Sequence, residues 1–281
     1  MERQNLGFTI FLYVCAALLA LMILAPFAWL FIMSISSTND LVSKPLRWWP
    51  VETDWSRYRI LTDFTPNSHG AALMSALGNS IKIAAIATVA ALMVSVPAGW
   101  AVSRTPAVGW SLWLVIGTYM LPPVALAVPL YMGLAGLGML NTKIGLAIVY
   151  LTVLAPFTTW LLKSGFDPIP RDLEKAAAID GARLDQMLRI IILPLAAPVI
   201  GTAALFAYLL AWDEFFYALL FTSDYRAKTV TVAIADLAGG RVADYGLIAT
   251  AGVIAALPPV IFGLVMQRML ISGLTTGGVK G

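Results

Sequence analysis

The chain has one cysteine, Cys15, one histidine, His69, and few charges: Asp, Glu, Lys and Arg together supply 12% of its 281 residues. A lone cysteine inside an apolar run permits no internal disulfide. His69 stands in a polar stretch with no Cys, second His or acid at ligand spacing, so the residues offer no metal site. The net charge of +3 is scattered, which leaves no surface for nucleic acid. No Gly-x-x-x-x-Gly-Lys-Ser/Thr occurs, and no strand precedes the glycine-rich end, so the chain cannot cradle ATP phosphates itself.

What the chain does have is apolar length. Hydrophobic residues make up 60% of it, whereas a soluble domain carries about 25% charged residues. It reads as an all-α integral membrane protein, a single domain over residues 1–281. That length holds roughly six spans of about 20 residues. The apolar runs place them near 8–33, 77–102, 108–132, 144–162, 195–221 and 246–269. The first run is too long for a signal peptide and lacks a cleavage site of small residues, so it is expected to stay as a span. Residues 34–76 form a long polar loop with Trp48, Trp49 and Trp55, partly folded at the membrane surface or touching an external protein. Pro122, Pro123 and Pro129 fall inside the third run. Mid-span prolines need a neighbour or cavity to satisfy the freed carbonyls, so that span is expected to be bent or broken, with Pro122 and Pro123 open to a gating role.

Six crossings would put both termini and residues 163–193 on one side. That side carries nine basic residues, the opposite loops eight, and Lys82 lies within a span. The excess of Lys and Arg expected on the cytoplasmic side therefore does not decide the orientation.

One polar segment interrupts the apolar pattern. Pro168 and Pro170 suit a helix start, Arg171 to Ile179 is rich in helix formers, and Gly181 breaks the helix. Helical spacing resumes with Leu184, Met187, Leu188 and Ile191 on one face, until Pro194 is expected to redirect the chain. Two short helices with a glycine elbow are predicted over residues 171–193. Further on, Trp212, Asp213 and Glu214 sit near the end of the fifth run. Acids in a span usually face a cavity or a partner, and the aromatics beside these could equally form an interfacial belt. The sequence leaves both readings open. Asp180-Gly181-Ala182-Arg183 shares the Asp-Gly start of membrane phosphatidyltransferases, but the downstream acids that would hold their metal are missing. No catalytic set remains.

Lys175-Ala-Ala-Ala-Ile-Asp180-Gly181-Ala182, followed by Leu193-Pro194-Leu195 and Pro198, resembles the EAA signature of bacterial ABC importer permeases. Trp212-Asp213-Glu214-Phe215 is similar to the Trp-Asn-Glu-Phe of their carbohydrate-importing, maltose-type branch. The end from Gly273 to Gly281 resembles that branch's terminus. The resemblance implies six transmembrane helices with a cytoplasmic coupling-helix pair between the fourth and fifth. Glu174, Lys175, Ala176, Ala177, Asp180, Gly181, Ala182, Leu193 and Pro194 would couple to an ATPase, and the tail at Gly277, Gly278 and Lys280 would touch the ATPases. Trp212, Asp213, Glu214, Pro122 and Pro123 are the candidates for the translocation path. Implied partners are a homologous permease subunit, two ATPase subunits that bind the ATP and Mg, an extracytoplasmic substrate-binding protein and the bilayer. This chain itself would hold no cofactor. Its expected place is the bacterial inner membrane, multi-pass, with both termini in the cytoplasm. Two departures stand out: Lys175 replaces the motif's first Glu, although Glu174 precedes it, and Asp213 replaces an Asn. The runner-up reading is an ion-coupled secondary transporter acting as a dimer.

Overall fold

The computed structural model describes residues 6–239 and 244–275. Among them the architecture is helical throughout, with one isolated antiparallel bridge between Ser36 and Thr53. In order come α1 (Leu6–Ile35), α2 (Thr38–Leu41), α3 (Ser56–Leu61), α4 (His69–Arg104), α5 (Gly109–Tyr119), α6 (Pro123–Gly136) and α7 (Lys143–Phe166). After them come α8 (Arg171–Ile179), α9 (Leu184–Met187), α10 (Leu193–Asp213), α11 (Phe216–Phe221), α12 (Val230–Ala238) and α13 (Tyr245–Thr275). Helices suit such apolar runs because lipid offers no hydrogen-bond partner to an unpaired backbone. Five are long and apolar enough to cross a membrane: Leu6–Ile35, His69–Arg104, Lys143–Phe166, Leu184–Asp213 and Tyr245–Gln267. A sixth is possible by joining Pro106–Tyr119 to Pro123–Gly136, which are bent by 94° at Pro122-Pro123, so the expected break in the third run is present.

Two units divide the chain. The first comprises residues up to Met74 and Ala233–Ala256. Its long polar stretch is ordered by two buried charges. Arg57, 2% exposed, donates to the Ser36 carbonyl, to Thr38 Oγ1 at 2.9 Å and to Asp244 at 3.2 Å. Asp40, 3% exposed, accepts from Arg47 at 2.9 Å, from Ser37 at 3.0 Å and from the Val51 amide at 3.1 Å. Burial opposes its ionisation, but these donors outweigh burial and hold the carboxyl below its ordinary value. Trp48, Trp49 and Trp55 remain exposed.

The second unit comprises Ser75–Val232 and the chain from Leu257. Here α7 is the central element, packing against α5 and α10 and meeting α4 where Ser95 Oγ bonds Thr158 Oγ1 at 2.6 Å. Gly165 lets α10 approach, since a Cβ there would overlap Val199. The two ends of this unit are each stitched. At one, Asn79 donates to the carbonyls of Tyr225 (2.8 Å) and Lys228 (3.1 Å), and the Asn141 amide donates to Phe221 O at 2.9 Å. At the other, Arg104 binds the segment that follows α7. The bent pair α5–α6 therefore leads from the Arg104 end to the Asn141 end.

Two expectations about helix limits are corrected. Pro194 does not redirect the chain: the helix runs on from Leu184 to Asp213, with a π-helical turn over Leu188–Ile192. Proline has no amide for the Ile190 carbonyl and its ring crowds that carbonyl, and widening the turn accommodates both. The fifth run also stops early, at Asp213 rather than 221. Glu214 adopts an extended ψ of 120°, and its carboxylate accepts from the Tyr217 and Ala218 amides at 2.9 and 3.1 Å, starting the separate helix α11.

Candidate functional site

The polar segment after α7 folds as one short helix, α8, joined at Gly181 to the first turn of the long continuous helix Leu184–Asp213. Pro170 precedes the first turn of α8, where its missing amide costs nothing. At the far end Gly181 takes φ +78°, which an L side chain adopts only under strain, and the Ala182 amide turns back to the Ala177 carbonyl at 2.9 Å. The Arg183 amide then donates to Gln186 Oε1 at 2.8 Å, opening α9. The expected glycine elbow is present after α7, but its second arm is the first turn of the long helix rather than a separate short one.

Its two faces differ in kind. Ala177, Met187 and Ile192 are buried with Leu162, Phe166 and Ala196, and Ala182 and Leu188 pack against them. Glu174 also turns inward: its carboxylate meets Arg104 Nε at 2.6 Å and Trp100 Nε1 at 3.4 Å. Arg104 further donates to the carbonyls of Phe166 (3.0 Å) and Ile169 (3.1 Å), Ser103 Oγ donates to Asp167 at 2.7 Å, and Arg171 donates to Ser103 O at 3.0 Å. The pair has side-chain exposures of 8% and 15%, so removing one partner would leave a charge largely out of water. The outer face carries Lys175, Ala176, Asp180 and Gly181, all exposed, with Ile179 at 85% and Leu184 at 57%. Lys175 pairs with the exposed Asp172 at 2.9 Å. Leu193 is half-buried and Pro194 exposed. Gly277, Gly278 and Lys280 lie outside the described residues.

The candidates for a path through the membrane do not form one cluster. Trp212 is 8% exposed and stacks on Tyr208 with centroids 6.0 Å apart, a packing role. Asp213 is exposed, and the Glu214 carboxylate is occupied by two backbone amides. Pro123 lines a cavity of about 240 Å³ with Thr118, Tyr119, Thr152 and Tyr217. A second, of about 350 Å³, shares Tyr119 and adds Phe157 and Trp160; a third, of about 570 Å³, shares Thr118 and Thr152. These form one groove along α5, the bend and α7. Sequence reasoning missed Tyr119, Thr152, Phe157, Trp160 and Tyr217. The available signal was spacing: Phe157 and Trp160 are three apart on α7, hence on one face.

Beyond α11 the loop is held in place. Asn141 Oδ1 accepts from the Ser223 amide at 3.1 Å, and Asp224 accepts from Arg226 Nε at 3.1 Å and from its amide at 2.9 Å. The Arg226 side chain, then its amide, then Asn141 hold the Asp224 carboxyl well below the ordinary carboxylate range.

A chain of several long apolar helices with one polar element that packs one face on the bundle and leaves the other exposed has the build of a multi-pass membrane transport subunit. It belongs to the family of binding-protein-dependent transport system inner membrane components, which matches residues 91–276. It is thus an inner-membrane permease component rather than an ATPase. The trehalose/maltose transport system permease protein MalG of Thermococcus litoralis is 37% identical over 99% of this chain and 99% of its own. The trehalose transport system permease protein SugB of Mycobacterium tuberculosis is 35% identical over 92% and 93%. A crystal structure of a bacterial ABC transporter that imports the acidic polysaccharide alginate contains a chain of the same fold, with TM-score 0.73 and 23% identity over 96% of this chain and 99% of that one. Membership of this family sets aside the ion-coupled reading.

Proposed function

We propose that this chain is one transmembrane subunit of an ATP-driven saccharide importer. It pairs with a homologous permease chain and two ATPase subunits, which bind the ATP and Mg, and it receives substrate from an extracytoplasmic binding protein. The observation that carries the reading is the two-faced elbow. Its inner face is locked to α4 and α7 through Glu174, Arg104 and the apolar cluster, so a push on the outer face moves the spans as a rigid body. The outer face offers small side chains at Ala176 and Gly181 for close approach, and Ile179 and Leu184 to bury against a partner. Lys175, Ala176, Asp180 and Gly181 are therefore the coupling contacts. Glu174, Ala177 and Ala182 hold the elbow on the bundle, and Pro194 sets the π-helical turn behind it. The tail at Gly277, Gly278 and Lys280 is assigned to the ATPases on resemblance alone. Saccharide as the cargo follows from the sugars named for the relatives.

Six crossings support placing the elbow and both termini in the cytoplasm. Arg104 and residues 166–174 share one end of their unit, while Asn79, Asn141 and residues 221–228 share the other. The bent pair between Arg104 and Asn141 then makes one crossing, and the count is even.

The test is co-purification of the full chain with the ATPase encoded beside it, comparing wild type, Gly181→Asp and Ala176→Arg. Ala176 is exposed and helical, so that variant carries no backbone strain. Both variants are expected to lose the ATPase or its stimulation by substrate-loaded binding protein. Retention of full stimulation by both would sink the coupling role of the elbow.

A further inference from the structure

Tyr217 is 1% exposed, and its Oη, which faces the Thr152 hydroxyl, makes no hydrogen bond of ordinary length among the described residues. A buried hydroxyl held so weakly is costly, and its cost needs a reason. Tyr217 lines the smallest of the three connected cavities, beside Thr118 and Thr152. The Thr152 hydroxyl donates to Val149 O at 2.7 Å, which leaves it an acceptor toward the cavity. Its backbone carbonyl gets no donor from Pro156, four residues on, which has no amide. Leading to this polar end is a row of rings: Tyr119 and Phe157 with centroids 6.5 Å apart, Phe157 and Trp160 at 6.4 Å, Phe157 and Phe206 at 6.0 Å. Tyr119 and Trp160 are each 46% exposed. No Lys, Arg, Asp or Glu lines any of the three cavities among the described residues.

We propose that this groove is a saccharide subsite on the present chain, with the aromatic row stacking on sugar rings and the Tyr217 hydroxyl bonding a sugar hydroxyl, and that it selects uncharged sugars over acidic ones. Aromatic faces with a few fixed hydroxyls are the build of a small-molecule site, and a carboxylate entering it would be desolvated with no cation to meet it. The inference rests on the importer reading and deepens it. Tyr217 Oη is closed to solvent in this conformation, so the sugar reaches it in another state of the transport cycle.

The experiment uses the complete complex in nanodiscs, arrested with vanadate and ATP, measuring retained radiolabelled trehalose against the uronate disaccharide of alginate. For wild type, trehalose is expected to be retained and the uronate not. Tyr217→Phe should raise the trehalose concentration for half-occupancy roughly three- to tenfold, the loss of one hydrogen bond. Trp160→Ala should raise it as well. The melting temperature of Tyr217→Phe should hold, because the hydroxyl it removes makes no ordinary hydrogen bond within the chain, which separates a ligand role from a merely structural one. Unchanged half-occupancy in Tyr217→Phe, or equal retention of the uronate, overturns the subsite while leaving an importer that still transports. A wild-type complex that assembles with its ATPases yet neither transports nor retains any sugar overturns the saccharide reading beneath it.

Discussion

At the scale of single residues, Asp40, Arg57 and Asp224, all outside the spans, hold loops. Asp224 is the clearest, because both the side chain and the amide of Arg226 bind its carboxylate. Its folded pKa lies below the ordinary 3.8, so its contribution to stability is fully present above that value and is lost as pH falls through the folded one. The melting temperature of wild type should therefore exceed that of Asp224→Asn by a constant margin from about pH 8 to about pH 5, and the margin should shrink only at more acid pH. A margin that vanished between neutrality and about pH 5 would mean that the latch does not depend on the ionised carboxylate. Glu214 shows the converse limit of reading single residues. An acid near the end of an apolar run suggested a translocation path, yet its oxygens serve the first amides of α11. Nothing in the run from 195 to 221 distinguishes an acid that faces a cavity from one that starts a new helix.

At the scale of elements, the elbow was legible because its signals are local: two prolines before it, helix formers within it, a glycine at the turn. The bend at Pro122-Pro123 was legible for the same reason. What holds the elbow was not legible, since Glu174 and its partner Arg104 are 70 residues apart and nothing in either neighbourhood announces the pairing. The continuity through Pro194 was hidden as well, because a proline in a helical run can equally end the helix, and the sequence alone does not say that the turn before it widens instead. The clamp yields a measurable consequence. Arg104→Gln or Glu174→Gln alone should each cost on the order of 3 kcal/mol, as breaking one side of a largely buried pair does. The double variant should cost clearly less than the sum, and a thermodynamic cycle on the melting of the purified complex reads the difference. Strict additivity would mean that the two side chains do not act on each other. Both single variants should also weaken ATPase stimulation, because an elbow released from α4 moves without carrying the span.

At the scale of the whole molecule, the number of crossings decides which surface meets which partner, and the bent pair is where the count turns. Length and hydropathy leave it at five or six. Contacts at the two ends of the second unit favour six, since Arg104 and Asn141, on either side of the bent pair, are tied to opposite ends of α7. Thiol labelling on sealed, right-side-out vesicles separates the two counts. In a Cys15→Ser background, single cysteines at Phe64, Asp180 and Tyr225 are suitable because all three positions are exposed. If the bent pair crosses, a membrane-impermeant maleimide labels positions 64 and 225 alike and spares 180 until the vesicles are opened. If the pair instead enters and returns on one side, every later segment is inverted, so that 64 and 180 label together and 225 is protected. The first pattern puts the outer face of the elbow where cytoplasmic ATPases can reach it. The second would face Ile179 and Leu184 away from any nucleotide, and the elbow would need a different partner.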